Sequence, residues 1–464
     1  MNYSTSQPLF ISADWLLDGL GNAVKDGAVL IDQGKIVKIT EWKPQSDLAQ
    51  GLPDGLNAAS HKHFAGGIIT PGLFNLHTHI DYTLAAPVYL NEQEPHMFDW
   101  LRALVTMART WDSAKFVASA AAGARELALA GVSYVVDSSF SGQAAHALVQ
   151  AGLKGTVGLE LFGVDKDRAE LAFAHWQKRY QELVAAHDIK AAIEQNQLTV
   201  TVAPHAPYTV SPALWQKARQ WAAQRQLKVL AHLAESPQES AWLAQNEMLV
   251  DQYLEFVLPP NPQKSVSEML QAIDWKGHGH SPVAHLQKHD LLDSNLLAAH
   301  CLHLDQEDYK TFAHAGAQAA LCPRSNQRLG NGQPLIEEFL KHGIPFGLGT
   351  DSRASSPDLS TRLEAMELYQ QSQTPTYNGQ MLHDPAQLLN TLTSKSAALM
   401  GVADKTGSLV KGLAADICVF IGHTKATSTA AFAAVIESDT TLDTLLVNGQ
   451  AVVSSGQYQA IQAK

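Results

Sequence analysis

Two histidines close the first long apolar run of the chain. Residues 68–79 read IITPGLFNLHTH, so the run passes through Pro71-Gly72 and ends on His77 and His79 at i, i+2 spacing. Alternate residues of a β-strand point to the same side, which lets both imidazoles converge on one point at the end of the strand. Neutral imidazoles are ligands for zinc and other transition metals. The pair therefore predicts half of a metal site.

Further side chains of metal-ligand and acid–base type close later apolar runs. They stand at the C-terminal ends of the fourth, fifth, sixth and eighth runs: His205, His232, Glu235, His300 and Asp351. In a parallel barrel the C-terminal ends of all strands meet at one face, where catalytic residues collect. Random placement would scatter such residues along the runs. We therefore expect one site built from the ends of several strands.

The elements that must position these residues alternate between apolar runs and amphipathic stretches. Eight runs are apparent, at residues 68–79, 132–139, 153–163, 198–205, 227–235, 295–303, 317–326 and 344–352. Segments between them, such as SPALWQKARQWAAQRQ, have the periodicity of helices. Eight βα units on strands buried on both faces predict an α/β fold of the (β/α)8 TIM barrel type. A doubly wound open sheet is the alternative, but the sequence lacks the glycine-rich phosphate loop expected after its first strand.

Both ends of the chain show a different pattern, short alternating runs joined by turn residues. Gln33-Gly34 separates two such runs near the N-terminus, and Asn448-Gly449 marks a turn near the C-terminus; both are hairpin signals. We expect residues 1–69 and 406–464 to form one composite β-sandwich domain and residues 70–405 to form the barrel. The connection at residues 251–291 exceeds a usual loop and is either a lid or pocket wall at the barrel mouth or a surface insertion.

Two further HxH pairs have simpler interpretations. His61 and His63 fall in a polar turn, and His278 and His280 fall in a glycine-rich loop. Neither pair stands at the end of an apolar run. We expect both pairs to be solvated surface residues without a ligand role.

Six motifs together resemble one superfamily: PGLFNLHTH, APHAPYTVS, HLAES, AHCLHL, CPRSN and GTDS. They are similar to the amidohydrolase superfamily in its cytosine-deaminase-like branch, and the resemblance covers nearly the whole chain. Within that branch the chain resembles methylthioadenosine/S-adenosylhomocysteine deaminases, aminodeoxyfutalosine deaminases and triazine hydrolases. The resemblance implies four metal ligands: His77, His79, His232 and Asp351. It also implies Glu235 as proton shuttle, His300 as the residue that orients the nucleophile, and His205 as a substrate-facing residue.

The implied set is chemically coherent. Three imidazoles and one carboxylate leave room on a divalent ion for a water, whose pKa falls to about 7. Asp351 can accept the proton of that water, Glu235 can carry it to a ring nitrogen and the leaving amine, and His300 can hydrogen-bond the developing oxyanion. Binuclear members of the superfamily bridge two metals with a lysine at strand four, whereas here that run ends in VAPH at residues 202–205. We expect one divalent ion, zinc, with Fe²⁺ or Mn²⁺ as alternatives.

The substrate side of the site is less determined. Nucleoside deaminases of this branch carry a glutamate after strand one that binds ribose hydroxyls, but the corresponding helix, residues 100–109, contains no acid. Four residues are candidate substrate contacts: Trp100, Glu160 at the end of strand three, and Arg324 and Asn326 at the end of strand seven. Trp100 either stacks on a planar ring or belongs to a helix core. Arg324 either holds an anionic or carbonyl-bearing substrate or caps a helix.

The predicted function is that of a metal-dependent hydrolytic deaminase of an aminated N-heterocycle, such as a purine nucleoside or a pterin, that releases ammonia. The alternative within the same chemistry is hydrolysis of a cyclic amide or of a chloro- or alkylamino-triazine. A catalytically inactive scaffold is an alternative of another class. It is disfavoured because inactive relatives lose metal ligands, and this chain keeps all four together with Glu235 and His300.

Composition limits the partners and the compartment. The net charge of −12 argues against binding to a nucleic-acid backbone. No apolar run approaches the roughly 18 to 20 residues that span a bilayer, and no signal peptide is evident. The three cysteines suit a reducing compartment. We expect a cytoplasmic protein whose partner is a small heterocyclic substrate; whether it forms a homo-oligomer stays open.

Overall fold

The computed structural model describes most of the chain: residues 8–42, 61–89, 96–245, 247–259, 261, 263–372, 384–422, 425–437 and 439–459. These residues form a parallel barrel and a second sheet made from both ends of the chain. Within these ranges no helix is both long and apolar enough to cross a membrane.

Strands are numbered along the chain: β1 (Leu9–Leu17), β2 (Ala23–Lys25), β3 (Gly27–Asp32), β4 (Lys35–Glu41), β5 (His61–Pro71), β6 (Leu73–Thr78), β7 (Val132–Ser139), β8 (Lys154–Leu161), β9 (Leu198–Pro204), β10 (Val229–Leu233), β11 (Leu296–His300), β12 (Gln318–Leu321), β13 (Phe346–Leu348), β14 (Ile417–Ile421), β15 (Thr441–Val447), β16 (Gln450–Ser454) and β17 (Gln457–Tyr458).

Helices are numbered in the same way: α1 (Ala86–Tyr89), α2 (Met97–Ala108), α3 (Ser113–Leu129), α4 (Gln143–Gln150), α5 (Ala169–Ala185), α6 (His187–Glu194), α7 (Pro212–Ala223), α8 (Pro237–Gln245), α9 (Met248–Val257), α10 (Val266–Gln271), α11 (Pro282–Lys288), α12 (Gln306–Ala315), α13 (Pro323–Arg328), α14 (Ile336–Lys341), α15 (Thr361–Ser372), α16 (Pro385–Leu392), α17 (Ser394–Leu399) and α18 (Ser428–Ile436). Short 3-10 turns lie at Ile80–Ala85 and Lys166–Arg168.

The barrel consists of β6 to β13, which pair in parallel in the order in which they occur along the chain. A parallel bridge between Thr78 and Asp351 joins the two ends of the series. Every residue of β7 and β8 is buried, because side chains pack on both faces of these strands. The predicted (β/α)8 fold is confirmed, and each of the eight apolar runs contributes one strand.

The second sheet has the strand order β17-β16-β15-β14-β5-β1-β3-β4, with β2 paired to β1. Its strands come from both termini, as the sequence predicts for a composite β-domain. Apolar side chains of this sheet form a core of their own, which includes Ile11, Val29, Ile69, Val419 and Leu446. The turn after β3 meets the turn after β15: the backbone N–H of Ala415 donates to Gly34, and Gly449 donates to Ala415.

The structure divides the first apolar run, which the sequence treats as a single strand. β5 ends at Pro71 and β6 begins at Leu73, so residues 68–71 belong to the β-domain. Gly72 lies between them, and a Cβ at this position would be 2.3 Å from the hydroxyl oxygen of Ser133. Only a residue without a side chain allows β6 to enter the barrel at this point.

The prediction that His61 and His63 lie in a polar turn is wrong, because both residues lie on β5. Their side chains face the same way, as residues i and i+2 of a strand do. Nε2 of His61 and Nδ1 of His63 lie 3.0 and 2.9 Å from the hydroxyl oxygen of Ser12. Pairing with β1 therefore extends β5 to these residues.

A buried ion pair connects the barrel to the β-domain. Nζ of Lys154, the first residue of β8, is 2.7 Å from Oδ2 of Asp416, which precedes β14. The backbone N–H of Asn448 donates to Oδ1 of the same carboxylate at 2.8 Å, and that of Gly72 donates to the carbonyl of Asp416. The two charged side chains are 8% and 2% exposed. Asp416 therefore holds three separate segments together where water does not screen the charges.

The substitution Lys154→Met tests this connection, because it keeps the aliphatic stem and removes the ammonium group. Removal of one partner of a buried ion pair costs about 3 to 5 kcal/mol. The same change at Lys178, whose pair with Glu182 is exposed, serves as the control. We expect a lower urea midpoint of unfolding for Lys154→Met and an unchanged midpoint for Lys178→Met. Equal midpoints for the two variants would contradict the role of the buried pair.

Candidate active site and metal centre

Three histidines meet at the C-terminal ends of the barrel strands. His77 lies near the end of β6, His79 follows that strand, and His232 lies on β10. Their ligand nitrogens all lie within 4.8 Å of one another, and Nε2 of His79 is 3.0 Å from Nε2 of His232. All three are buried. The structure thus brings the predicted HxH pair to the third imidazole.

Backbone carbonyls determine which nitrogen of each ring faces the centre. Nδ1–H of His79 donates to the carbonyl of Ser138, and Nδ1–H of His232 to that of His205, both at 2.8 Å. Because a carbonyl oxygen only accepts, each Nε2 carries a lone pair, and the two lone pairs face each other. Nε2 of His77 has no hydrogen-bond partner among the residues described. Converging lone pairs of this kind fit a divalent cation.

Burial keeps the three imidazoles in the form that binds metals. It lowers the pKa of His77 and His232 well below the usual value, and the neighbouring imidazoles lower it further. Burial also lowers the pKa of His79, although less strongly because Asp351 opposes the shift. The rings are therefore neutral at physiological pH, as metal ligation requires.

Asp351, which follows the last barrel strand, β13, completes the set at the same face of the barrel. Its Oδ1 lies 3.7 Å from Nε2 of His77 and 3.6 Å from Nε2 of His79. Its Oδ2 accepts hydrogen bonds from the hydroxyls of Ser325 and Ser355, both at 2.7 Å. Burial alone would raise the pKa of this carboxyl, but the surrounding imidazoles bring it to about 2. Asp351 is therefore ionised, with one oxygen anchored and the other directed at the histidines.

Glu235 and His300 stand beside this centre. Oε1 of Glu235 lies 3.7 Å from Nε2 of His300. Nδ1–H of His300 donates to Oδ1 of Asn326 at 2.8 Å, so Nε2 carries the lone pair. Burial, and then Asp351, raises the pKa of Glu235 well above its usual range. The site therefore places a neutral carboxylic acid and a basic imidazole nitrogen side by side.

Glu239 is a functional residue that the sequence reasoning missed. Its two carboxylate oxygens accept the backbone N–H groups of Ala234 and Glu235, each at 3.0 Å. Ala234 has a φ of +52°, a conformation that is costly for a residue with a side chain. Glu239 is completely buried in the first turn of α8. Glu239 therefore holds the backbone segment that carries Glu235. In the sequence, the feature that could have revealed it is an acidic residue four positions after Glu235.

A cavity of about 760 Å³ opens above these residues. Three of the predicted substrate contacts line it: Trp100, Glu160 and His205. The indole of Trp100 also packs in the helical core and donates to the carbonyl of Ala354 at 2.8 Å, which supports the interpretation of this residue as part of a helix core. Nδ1 of His205 is 2.9 Å from the hydroxyl of Thr209. The cavity therefore connects the metal centre to three of the substrate contacts inferred from the sequence.

The other two predicted contacts, Arg324 and Asn326, do not line the cavity. The guanidinium of Arg324 is bound by Glu364 at 2.7 Å and by Asp358 at 2.7 and 2.9 Å. The expectation that Arg324 contacts the substrate is corrected, because two carboxylates already satisfy it. Asn326 is fully buried and orients His300 instead. Since β12 ends at Leu321, both residues belong to helix α13 behind the site rather than to a strand end.

The long connection at residues 251–291 contains α10, α11 and most of α9, joined by irregular segments, in its described part. Tyr253, Leu254, Val257 and Met269 from this segment line the cavity. The interpretation as a pocket wall at the barrel mouth is therefore supported, and this wall is apolar.

Comparison with known proteins identifies the family. The amidohydrolase family profile matches residues 68–452, which span the barrel and the C-terminal part of the β-domain. The chain belongs to the amidohydrolase family. This membership confirms the resemblance inferred from the motifs. It also confirms the predicted enzyme class, a hydrolase that acts on non-peptide carbon–nitrogen bonds.

Several relatives in the family have named activities. A 5-methylthioadenosine/S-adenosylhomocysteine deaminase of Pyrococcus furiosus is 26% identical over 448 residues, covering 93% of this chain and 92% of the relative. An aminodeoxyfutalosine deaminase of Deinococcus radiodurans is 28% identical over 369 residues, covering 77% and 80%. The structure of an adenosine deaminase from Xanthomonas campestris with bound zinc has a TM-score of 0.75 and 21% identity, covering 98% and 94%. This structural neighbour has the same overall fold.

Glu239→Gln tests how the Glu235 segment is held. The amide group of glutamine would place N–H donors against one of the two backbone N–H groups, so one buried hydrogen bond is lost and Glu235 shifts. A misplaced catalytic group lowers turnover, and we expect a loss of about 10-fold or more in kcat. The measurement is ammonia release together with metal content, which should stay unchanged. Glu182→Gln, an exposed change on α5, is the control; equal kcat values for the two variants would contradict the role of Glu239.

Proposed function

We propose that the protein is a hydrolytic deaminase of aminated N-heterocycles of the purine nucleoside type. In this reaction water replaces the exocyclic amino group of the ring carbon and ammonia leaves. One observation carries the proposal: Glu235 and His300 stand beside the cluster of His77, His79, His232 and Asp351, at the base of a cavity of about 760 Å³. Deaminase relatives that align with most of the chain support it.

The predicted ligands would hold a single divalent ion, zinc, with Fe²⁺ or Mn²⁺ as alternatives: His77, His79, His232 and Asp351. When bound, such an ion supplies a water that is acidic enough to attack at neutral pH. The orphaned Nε2 of His77 and the converging Nε2 atoms of His79 and His232 support this assignment. Strand β9 ends without a lysine, which supports one ion rather than two.

In the proposed reaction, Asp351 and Glu235 transfer protons and His300 orients the water. Oδ1 of Asp351 is free of other donors among the described residues, so it accepts a proton from the attacking water. Nε2 of His300 carries a lone pair and accepts a hydrogen bond from the same water, which orients the water for attack. Glu235 is protonated before reaction because burial raises its pKa, so it can deliver this proton to a ring nitrogen. It then takes the proton of the added hydroxyl group and passes it to the leaving amine, and the proton held by Asp351 restores Glu235 for the next turnover.

Deamination is favoured over hydrolysis of a peptide bond because of the position of Glu235. Protonation of a ring nitrogen next to a C–NH₂ group makes the carbon electrophilic, and a plain peptide bond has no such nitrogen. Apolar and aromatic side chains form most of the cavity, which suits a planar heterocycle. We propose in addition that the only partner this function requires is a small heterocyclic substrate, and that the enzyme is cytoplasmic.

Glu235→Gln keeps the shape of the side chain but cannot cycle a proton. We expect turnover to fall by about 10²-fold or more while the metal content stays that of the wild type. Glu182→Gln again serves as the matched control. If the Glu235 variant loses metal together with activity, the residue has a structural role; turnover like that of the wild type would place the proton transfer elsewhere.

Elemental analysis tests the metal centre. The metal-loaded protein should contain one divalent ion per chain, and His232→Ala should lose most of it because one of three imidazole ligands is gone. His314→Ala, which removes an exposed histidine of α12, should retain the ion. Two ions per chain, or an unchanged content in His232→Ala, would contradict the proposed ligand set.

A panel of amino-heterocycles tests the reaction. Purine nucleosides, pterins, aminopyrimidines and aminotriazines are incubated with the metal-loaded enzyme, and ammonia is measured by a coupled assay. We expect ammonia from at least one member and weak turnover of adenosine, because helix residues 100–109 offer no acid to the ribose hydroxyls. Hydrolysis of cyclic amides or chlorotriazines without ammonia from any member would support the alternative activity instead.

A further inference from the structure

An aromatic wall runs around the cavity from His79 to His205. It consists of five side chains, each in ring contact with the next: Tyr82, Trp111, Phe116, Phe140 and Phe162. Their successive centroids lie 5.3 to 6.5 Å apart, within the range of favourable aromatic pairs. Every member lines the cavity. A ligand above the metal centre therefore meets aromatic rings on this side.

The carboxyl of Glu160 faces the same cavity, two residues before Phe162. The side chain of Glu160 is 3% exposed, and its Oε1 lies 3.8 Å from Nδ1 of His79. The Nδ1–H of His79 donates its hydrogen bond to the carbonyl of Ser138 and not to this carboxyl. No hydrogen bond joins this carboxyl to any residue in the described ranges. Its oxygens face the cavity, where a hydrogen-bond donor of a bound ligand can reach them.

The surroundings of Glu160 favour a positively charged donor. Arg179 is the nearby cation, but its guanidinium donates to the backbone carbonyls of Glu160 and Phe140 instead of the carboxyl. The carboxyl of Glu160 is therefore left available to a cation that a ligand supplies.

We propose that Glu160 and the aromatic wall bind a cationic nitrogen, an alkylammonium group that the heterocyclic substrate carries as a substituent. Aromatic faces and a carboxylate are the two features with which proteins hold such groups. The proposal rests on the proposed function, since it specifies a substituent of the deaminated ring.

Two analogues of equal size test the charge preference. N9-(3-aminopropyl)adenine carries an ammonium group where N9-butyladenine carries a methyl group. Calorimetric titration of the metal-loaded Glu235→Gln protein measures binding without turnover. We expect the ammonium analogue to bind at least about 10-fold tighter, because it alone pairs with Glu160 and the aromatic faces. Adding Glu160→Gln should reduce this preference to about twofold while the affinity for the butyl analogue stays unchanged; adding Glu182→Gln should leave the preference intact.

Equal or weaker binding of the ammonium analogue, absence of binding by both, or a preference that persists in the Glu160 variant would each overturn the inference. The failure of the proposed function has a different signature. If wild-type enzyme releases ammonia from amino-heterocycles without any charge preference, the function stands and the role of Glu160 falls. If the preference depends on Glu160 but no heterocycle releases ammonia, the binding site stands and the deaminase assignment falls.

Discussion

The backbone hydrogen bonds that close the barrel also bring together the residues of the candidate metal site. The N–H groups of Thr350 and Asp351 both lie 3.0 Å from the carbonyl oxygen of His77, which joins the segment after β13 to β6. A Cβ on Gly349 would lie 2.7 Å from the backbone nitrogen of His77, so glycine is required for this approach. Asp351 itself has a φ of +58°. Ligands from the first and last strands can meet only because the barrel closes here.

Around this junction, residues that lie beyond the strand ends hold each functional group in place. Serine hydroxyls hold one oxygen of Asp351, Asn326 of α13 holds His300, and Glu239 of α8 holds the backbone at Glu235. Such support limits the rotamers of buried polar groups and keeps reactive atoms at fixed distances. The positive φ of His300, +72°, shows that the surrounding packing imposes a costly conformation on a functional residue.

The buried acids of the site differ according to their partners. Asp351 is surrounded by imidazoles and hydroxyl donors, which keep it ionised. Glu235 and Glu160 are buried without hydrogen-bond donors to their carboxyls among the described residues, and burial raises the pKa of both. The same chemical group therefore suits metal ligation in one position and, in the proposed reaction, proton transfer in another. The difference comes from the environment and not from the residue type.

The sequence by itself determined the eight strands and the residues at their ends, because alternation and burial are local properties and parallel strands end at one face. His77, His79, His232, Glu235, His300 and Asp351 could be found in this way. The tertiary structure alone decided the roles of Arg324, Asn326 and Glu239. Each lies on a helix beyond a strand end, where the direction of a side chain depends on the packing of that helix against its neighbours. A guanidinium bound by two distant carboxylates, Asp358 and Glu364, cannot be recognised before the chain has folded.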